Sequence, residues 1–502
     1  MMILKDFKYL IILFFGSYFL IGQNFVDGFV FDSLFVSPVE NVKIINERGD
    51  LISYTDSLGY YNYNTLLDSI KVVFIQEGYS SVEKNIIFTN DSIRLDIMLL
   101  SNNRLKEILI SDTRNNTFDT GYLDDVSIES NSIYSAKKSE LIITDTKSGT
   151  ASNNARQMYN KTVSLNIVQS DDAGLQLNIG GRGLNPRRTS NFNVRQNNYE
   201  ISADPLGYPE SYYIPPFESL EKIQVLRGAG ALQYGTQFGG LINFNIKKPH
   251  RSKKIELITR NTIGSHALYT NFTSLSGTLD RFAYYTFFNH KKGDGFRYNS
   301  QFNSTNFYSF LSYKLTSKLK VSFELTYLDY LAQQPGGLTD EMFYDDILQS
   351  NRERNWFNVN WILYNFQASY KISNRTNLWF NSLLLDAHRY AIGFRTNRVN
   401  QIDLNGERDL IKAEFNNFGF ETKLLHEYNL LKKNMVFLFG AKMYSGSNLT
   451  SQGPGSDGDN ADFNFQSDIY PYYENQSSYS NPNLNYSVFS ENIIYLNERM
   501  SL

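Results

Sequence analysis

The chain has no cysteine among its 502 residues, and this absence excludes several kinds of site at once. It leaves no disulfide framework, no thiolate metal site, no cysteine nucleophile and no lipoprotein cysteine. A nucleophile motif of the type G-x-S-x-G is also missing. The few histidines do not show the short spacing of zinc ligands; they are His250, His266, His290, His388 and His426. We therefore expect no enzyme activity, no bound metal and no cofactor.

Charge and long apolar runs are also scarce. Charged residues make up 20% of the chain, and the net charge of -3 argues against a nucleic-acid partner. Apart from the N-terminus, no apolar stretch approaches the ~20 residues that a membrane helix needs. Aromatic residues, in contrast, reach 15%. Many aromatics without long apolar runs are typical of strands that face lipid on one side.

The N-terminus has the layout of a signal peptide. Lys5 and Lys8 precede an apolar run over residues 9–21, and Gly22 offers a small residue near a cleavage point. We predict that residues 1–22 are a signal peptide and that the protein is exported.

Residues 23–101 show short alternating strand patterns separated by Gly, Asn and Asp turns, as in Gly59-Tyr60. Such spacing predicts a small β-sandwich. The segment contains no histidine and no nucleophile–base set, so we expect a non-catalytic module.

Residues 102–139 are polar and are predicted to form a linker. One short β-prone segment interrupts it, and such a segment can add as a strand to the edge of a partner's sheet. The alternative is that it forms the last strand of the sandwich. The segment consists of Leu105, Lys106, Glu107, Ile108, Leu109, Ile110 and Ser111.

Residues 140–250 contain the most distinctive stretch of the chain, 218–244, with the sequence ESLEKIQVLRGAGALQYGTQFGGLINF. Glycine at this density lets one backbone segment approach another closely. A dinucleotide fingerprint would need a third glycine at the position of Gln233, so that interpretation fails.

The string E-x-x-E-x-I-x-V-L-R-G-x-x-x-x-x-Y-G followed by G-G-x-I-N-F resembles the end of the plug domain in TonB-dependent outer-membrane receptors. Upstream segments resemble earlier parts of that plug, most closely in the ferric-dicitrate or siderophore type found in Bacteroidetes-like sequences. These segments are Asn154-Ala155-Arg156-Gln157, Asn166-Ile167, Gly181-Arg182-Gly183 and Asn185-Pro186-Arg187-Arg188.

This resemblance implies several roles. Residues 23–101 resemble the carboxypeptidase-regulatory-like domain that precedes some plugs. The segment 105–111 resembles the TonB box, which reaches the periplasmic energy-transducing TonB protein. Arg182 and Arg227 are expected to hold the plug against acidic residues of the barrel wall.

Candidate ligand contacts lie in the same domain. Arg187 and Arg188 form a pair suited to bidentate contact with carboxylates. A Pro- and Gly-bounded loop carries Tyr208, Tyr212 and Tyr213, and the resemblance places this loop at the outward apex of the plug. A solvated turn remains the alternative for the arginine pair.

Residues 251–502 show repeated alternation of apolar and polar residues. In 318–327, Val321, Phe323 and Leu325 alternate with Ser322 and Glu324, and the same pattern recurs in 365–372 and, more weakly, in 435–443. Alternation over ~10 residues, with short turns such as 373–374 and long loops such as 333–355 and 445–483, predicts an outer-membrane β-barrel.

Two short motifs in the last long loop carry no predicted role. Asn481-Pro482-Asn483-Leu484 resembles a box of haem receptors, but we interpret it as a coincidence. Asp457-Gly458-Asp459 lacks the spaced acidic set of a calcium site and is expected to be a flexible tip.

About ten such strands can be counted, whereas barrels that hold a plug have about 22. We therefore expect a truncated receptor or gene fragment, because an open half-barrel leaves unpaired strand edges in lipid. The predicted fold class is an all-β membrane protein: an N-terminal β-sandwich, a plug domain and part of a large antiparallel transmembrane β-barrel.

The predicted function is TonB-dependent uptake of a ferric chelate, a siderophore or an iron-dicitrate-like complex, across the cell outer membrane. The expected partners are the TonB protein, the chelate and outer-membrane lipids. The alternatives are uptake of another scarce ligand (a glycan, cobalamin or haem) and a truncated remnant that transports nothing.

Overall fold

The computed structural model describes the chain in stretches, and the predicted signal peptide (1–22) and TonB-box-like segment (105–111) lie outside the described residues. The described residues are 24–33, 37–100, 120–122, 126–129, 132–135, 139–143, 154, 156, 165–175, 177–181, 183–206, 208, 210–226, 232–235, 239–396, 398–430, 433–471, 477–497 and 500–501. The chain divides into two compact units, Met1–Lys106 and Glu107–Leu502.

The first unit consists of two small sheets. Its strands are β1 (Asn24–Asp32), β2 (Lys43–Asn46), β3 (Leu51–Tyr54), β4 (Tyr60–Thr65), β5 (Ser69–Ile75), β6 (Val82–Ile87), β7 (Ser92–Arg94) and β8 (Ile97–Leu99). One sheet has the order β4-β1-β7, with β8 also pairing with β1, and the other has the order β3-β2-β5-β6. Alternate residues such as Val26, Val30, Val72 and Phe74 point inward and form one buried core.

The second unit begins with the plug. Its strands are β9 (Thr120–Tyr122), β10 (Val126–Glu129), β11 (Ser132–Ser135), β12 (Ser139–Ile143), β13 (Leu165–Gln169), β14 (Leu177–Gly181), β15 (Phe192–Gln196), β16 (Tyr199–Glu200), β17 (Leu220–Leu226) and β18 (Gly240–Ile246). Six of them form a mixed sheet in the order β16-β15-β18-β17-β12-β9, and two pairs, β10–β11 and β13–β14, form hairpins. Among the described residues of this unit, regular pairing starts at Thr120, upstream of the predicted plug boundary at residue 140.

The glycine-rich stretch allows close backbone contact at the start of β18. The Gly239 amide donates to the Asn191 carbonyl at 2.7 Å. A Cβ at Gly239 would lie 2.8 Å from that oxygen, and Gly240 has φ of 109°. Only glycine satisfies both requirements without strain, so the sequence density of glycine has a structural cause here.

The rest of the unit is one large meander. Its strands are β19 (Glu256–Ile263), β20 (Tyr269–Leu279), β21 (Phe282–Gly293), β22 (Phe302–Lys314), β23 (Leu319–Gln333), β24 (Trp356–Ser373), β25 (Thr376–Gly393), β26 (Arg408–Leu430), β27 (Lys433–Gly455) and β28 (Ser477–Ile493), followed by the short pair β29 (Tyr495–Asn497) and β30 (Met500–Ser501). The ten strands β19 to β28 pair in sequence order, each antiparallel to the next. The predicted number of about ten is confirmed.

Alternation along β23 follows the sequence pattern. Ser322, Glu324 and Thr326 are buried, whereas Val321 and Phe323 lie on the other face and are more exposed. Because side chains of a strand point to opposite faces in turn, the polar set faces the plug and the apolar set faces outward. This prediction is confirmed.

The two ends of the meander differ. At one end, which we call the short-turn end, strands are joined by turns at 280–281, 315–318 and 374–375. At the other, the long-loop end, the described parts of the last three loops are 334–355, 394–396 with 398–407, and 456–471. The first of these loops holds α1 (Asp340–Asp345). The predicted loop over 445–483 is wrong in extent. β27 continues to Gly455 and β28 begins at Ser477, since pairing with neighbouring strands holds this polar, glycine-containing segment extended although it lacks alternation.

The plug and the inner face of the meander share one hydrophobic core. Plug residues such as Phe192 and Tyr212 pack with barrel residues such as Tyr308, Trp361 and Phe415. No helix among the described residues is long and apolar enough to cross a membrane. The all-β class predicted from the sequence is confirmed.

Candidate functional site

The turn that carries the arginine pair is fixed by asparagine side chains. The Asn185 Oδ1 accepts a hydrogen bond from the Arg187 amide at 3.0 Å, and the Asn178 Oδ1 accepts from the Arg188 amide at 2.7 Å. Arg188 has φ of 45°, a left-handed conformation that is uncommon outside glycine. The Ser211 amide also donates to the Arg188 carbonyl at 2.9 Å. These bonds place the arginine turn beside the tyrosine loop.

The two arginines differ in environment. The Arg188 Cζ lies 4.9 Å from the Tyr212 ring centroid and 5.0 Å from that of Phe357 on β24. Its Nε lies 3.4 Å from the Glu210 carboxylate. Arg187 is 76% exposed, and its Nε lies 3.7 Å from the same carboxylate. Arg188 therefore points into the plug–barrel boundary and Arg187 points towards solvent.

A third arginine reaches the same rings from the barrel. Arg389 faces inward from β25, with its Cζ 5.7 Å from the Tyr212 ring and 5.8 Å from the Phe357 ring. It is buried, and its Nε and Nη1 have no hydrogen-bond partner among the described residues. A buried guanidinium with unused donors is costly unless an acceptor reaches it, so this position favours an anion.

A fourth arginine, Arg395, follows β25 and is close enough to Arg389 and Arg188 for their charges to affect it. Burial lowers the pKa of Arg395, and the positive charges of Arg389 and Arg188 lower it further, while Asp409 opposes them. Several positive charges that act on one another across a partly enclosed space attract negatively charged ligands.

Further aromatic side chains pack around Tyr212, next to these arginines. The Tyr208 hydroxyl lies 3.1 Å from the Tyr212 hydroxyl, and the Tyr208 ring centroid lies 5.2 Å from that of Phe415. Trp361 lies 6.4 Å from Tyr212 and 6.2 Å from Phe415 between ring centroids. We call Arg188, Arg389, Tyr208, Tyr212, Phe357, Trp361 and Phe415 the arginine–aromatic cluster.

Tyr213 belongs to a different group of side chains. Its hydroxyl donates to the Gln196 Oε1 at 3.0 Å, and the Gln196 side-chain amide bonds to Thr326 on β23 at 3.1 Å. Consecutive residues of an extended segment point to opposite sides, which separates Tyr213 from Tyr212. The structure thus brings together Arg188, Tyr208 and Tyr212 and leaves Arg187 and Tyr213 outside.

A buried carboxylate of the barrel binds the plug next to that group. The Glu324 Oε2 accepts from the Tyr199 hydroxyl at 2.9 Å, the Asn197 side-chain amide at 2.8 Å and the Tyr308 hydroxyl at 2.7 Å. Two of these donors come from the plug. A buried carboxylate needs hydrogen-bond donors, so these bonds hold the plug against the barrel.

A second plug–barrel contact has the charges reversed, with the acidic residue on plug strand β16 and the basic residue on barrel strand β27. The Glu200 carboxylate accepts from the Lys442 Nζ on β27 at 2.7 Å and lies 3.3 Å from the Arg195 Nη2. Burial alone would raise the pKa of Glu200, but the charges of Lys442 and Arg195, with hydrogen bonds from Lys442 and Asn193, lower it to about 2.

Asparagines of the barrel anchor the tyrosine loop. Asn448 on β27 and Asn483 on β28 both donate to the buried Asp204 carboxylate, the latter at 2.5 Å. Asn417 on β26 donates to the Ala203 carbonyl. The Asn-Pro-Asn-Leu motif that had no predicted role therefore supplies a plug anchor.

Two arginines brace the long-loop end. Arg354 binds the Asp403 carboxylate at 2.7 and 3.0 Å and the carbonyls of Gly406 and Asp457 at 3.0 and 2.6 Å. Arg408 donates to the carbonyls of Ser456, Arg354 and Asn460. Three long loops are joined by these bonds, and the carbonyl of Asp457, in the predicted flexible tip, takes part in them.

Some predicted sites lie outside the described residues. Arg182 and Arg227, the predicted plug–barrel arginines, are among them. Among the residues that the structure describes, no group of three or more His, Asp or Glu is arranged to hold a metal ion.

Sequence reasoning missed the barrel half of the cluster. Arg389, Phe357, Trp361 and Phe415 occupy inward positions of their strands, which alternation could have indicated. Their height along the barrel axis depends on strand register, which is a property of pairing rather than of any single strand.

No protein-family model matches the chain. Solved structures do match. The ferric citrate transporter FecA in its unliganded form has a TM-score of 0.59 at 16% identity, over 72% of this chain and 61% of that one. The ferripyoverdine receptor of the outer membrane of Pseudomonas aeruginosa has a TM-score of 0.58 at 11% identity, over 84% of this chain and 58% of that one.

The ferric-catecholate import receptor Fiu from E. coli K12 also matches, with a TM-score of 0.55 at 9% identity, over 73% of this chain and 58% of that one. This chain therefore spans less than two thirds of the length of each of these three proteins. Their likeness establishes the fold, a plug packed against the inner face of a large antiparallel barrel sheet. The predicted resemblance is confirmed at the level of the fold.

Proposed function

We propose that the chain belongs to an outer-membrane receptor that takes up an anionic ferric chelate with energy from the periplasmic TonB protein. The observation that carries the proposal is the arginine–aromatic cluster. The plug contributes the partly buried guanidinium of Arg188, and the barrel contributes the buried guanidinium of Arg389, two of whose donors are unpartnered among the described residues. The solved structures of the same fold named above are ferric-chelate receptors and transporters, and they support the same class of ligand.

The cluster favours chelates whose outer groups are carboxylates. Guanidinium groups donate two parallel hydrogen bonds to a carboxylate, and flat aromatic rings pack against the chelate body. A neutral glycan or cobalamin would leave the donors of Arg389 buried without an acceptor, which costs free energy. Transport rather than catalysis is the activity proposed.

Binding can be tested with the full chain purified from outer membranes. Trp361 lies in the cluster, so titration with ferric citrate is expected to quench tryptophan fluorescence in a saturable way. The Arg389→Ala variant should weaken binding by about tenfold to a hundredfold, because it removes charge-assisted hydrogen bonds. Arg375→Ala at the short-turn end is the matched control and should bind as the unaltered chain does.

Cyanocobalamin, haem and a maltooligosaccharide serve as competing probes in the same titration. If one of these probes binds saturably and ferric citrate does not, the ligand belongs to the class of that probe and the ferric-chelate proposal is wrong. Absence of binding for every probe would leave the remnant hypothesis standing.

Uptake depends on the predicted TonB contact. Deleting residues 105–111 is expected to abolish uptake of radioactive iron from ferric citrate by whole cells while leaving ferric citrate binding to the purified chain unchanged. Equal uptake with and without the segment would remove it as the TonB contact.

A further inference from the structure

A carboxylate of the chain itself lies among the donors of the cluster. Glu210 is 14% exposed and lies 3.4 Å from the Arg188 Nε. The Tyr212 hydroxyl also donates to it. Burial raises the pKa of Tyr212 well above its usual value although the Arg389 and Arg188 charges oppose this, so the hydroxyl stays protonated and acts as a donor.

The two arginines of the cluster are therefore unequal. Arg188 already contacts a carboxylate, whereas the Nε and Nη1 of Arg389 have no partner among the described residues. Both guanidiniums stack on the same two rings, Tyr212 and Phe357. A ligand with carboxylates for both arginines must compete with Glu210 for Arg188, and a ligand with one carboxylate need only reach Arg389.

Release of the Glu210 side chain does not require the loop backbone to move. The Glu210 carbonyl accepts from the Ala203 amide at 2.9 Å, and the Ala203 carbonyl accepts from Asn417 of the barrel. A new partner for the side chain is already in reach, since the exposed Arg187 Nε lies 3.7 Å from the same carboxylate. A change of side-chain rotamer towards solvent would exchange Arg188 for Arg187.

We propose that Glu210 is an internal competitor for the anionic ligand: it occupies Arg188 and Tyr212 until a polycarboxylate chelate displaces it onto Arg187. This inference rests on the proposed function and adds a specificity-determining residue to it. Glu210 then lowers the affinity for chelates that bind both arginines and leaves the affinity for chelates that reach Arg389 alone unchanged. Arg187 acts as a positioning residue for Glu210 rather than as a ligand contact.

Two substitutions of Glu210 separate competition from simple charge. Glu210→Gln removes the charge, and Glu210→Asp keeps the charge but is one methylene shorter and is drawn away from Arg188 and Tyr212. Competition predicts that both variants bind ferric citrate more tightly, Glu210→Gln by about tenfold. Tighter binding by Glu210→Gln with no change for Glu210→Asp would mean that only net charge matters and would overturn the proposal.

Glu414→Gln is the matched control. Glu414 accepts from the Tyr390 hydroxyl at 2.9 Å, and its position on β26 lies on the opposite face from the buried Ala413 and Phe415. The substitution removes the charge from a similar tyrosine–carboxylate pair on the outer face and should leave ferric citrate affinity unchanged. An unchanged tryptophan emission maximum shows that each variant is folded.

Arg187→Ala gives an independent check. The substitution should weaken ferric citrate binding several-fold in the unaltered chain and have no effect in the Glu210→Gln background. Failure of every variant and of the unaltered chain to bind ferric citrate would reject the proposed function itself. Binding by the unaltered chain, with no tightening in either Glu210 variant, would reject only the internal competitor.

Discussion

Lys442 on β27 donates a 2.7 Å hydrogen bond to Glu200 on β16, so a basic side chain of the barrel is paired with an acidic side chain of the plug. Glu324 makes the reverse connection, from a barrel carboxylate to hydroxyl and amide donors of the plug. The described plug–barrel boundary is thus held by polar contacts of both polarities as well as by a shared apolar core.

Breaking the first pair should loosen the plug. Lys442→Met leaves Glu200 buried with only part of its compensation and is expected to cost about 3 kcal/mol of plug docking. The urea concentration at which the plug becomes accessible to protease measures this cost. Lys412→Met, at an outward position on β26, is the control. Adding Glu200→Gln to Lys442→Met should recover part of the loss, and equal loss in the two single lysine variants would contradict the prediction.

The same pair predicts a pH dependence. The pKa of Glu200 is lowered from 4.5 to about 2, so its stabilisation is fully present above pH 4.5. As the pH falls from 4.5 towards 2, the carboxylate takes up a proton more readily in the undocked state, and about 3 kcal/mol is lost. Urea midpoints should therefore be level from pH 7 to about 5 and fall below that. The Glu200→Gln variant should show a shallower acid limb, and an identical limb would refute the assignment.

The asparagine anchors predict a local effect on the tyrosine loop. Asn483→Ala removes a donor to the buried Asp204 carboxylate and should cost about 1–2 kcal/mol of local stability. We expect faster hydrogen exchange at the Leu206 and Tyr208 amides and weaker ferric citrate binding. Asn481→Ala, two residues away and exposed, is the control. Equal exchange in the two variants would show that Asn483 does not anchor the loop.

The first unit offers a test of close backbone packing. A Cβ at Gly28 would lie 1.9 Å from the Leu95 carbonyl oxygen, so Gly28→Ala must displace β1. We expect a loss of about 3 kcal/mol or more, seen as lost hydrogen-exchange protection in β1 and β4 of the full chain. At Gly49 an added Cβ would contact no other atom, and the only strain comes from the positive φ of 88°. Gly49→Ala should therefore cost about 1 kcal/mol. Similar losses at both positions would contradict this reasoning.

The sequence predicted the strands better than the site. Alternation in 318–327 was enough to assign inward and outward faces of β23, because burial of one face is a local property of a strand. Beyond Ser445 the alternation is absent, so it could not predict the rest of β27, a polar, glycine-containing segment that its neighbours hold extended. Pairing partners are not visible in a single strand, so the ends of β27 and β28 beside this loop were predicted too short.

The candidate site shows the same limit. The arginine pair and the tyrosine loop were identified, yet Arg389 could not be joined to them, because the height of a barrel residue depends on the register of every strand before it. Nor could the sequence distinguish Tyr212 from Tyr213. Two adjacent tyrosines in an extended segment point to opposite sides, and only the backbone path shows which one faces Arg188.

The brace at the long-loop end has a consequence for how this surface can change. Apart from Asp403, the partners of Arg354 and Arg408 described above are mostly main-chain carbonyls, at Gly406, Asp457, Ser456 and Asn460. Every residue type presents the same carbonyl oxygen, so substitutions at Gly406, Asp457 and Asn460 leave these bonds in place. Ser456 also accepts from Arg408 through its hydroxyl, so a substitution there removes one bond of the brace. The side chains of these loops can therefore change under selection for a new ligand, while Arg354 and Arg408 hold the loop backbones in place.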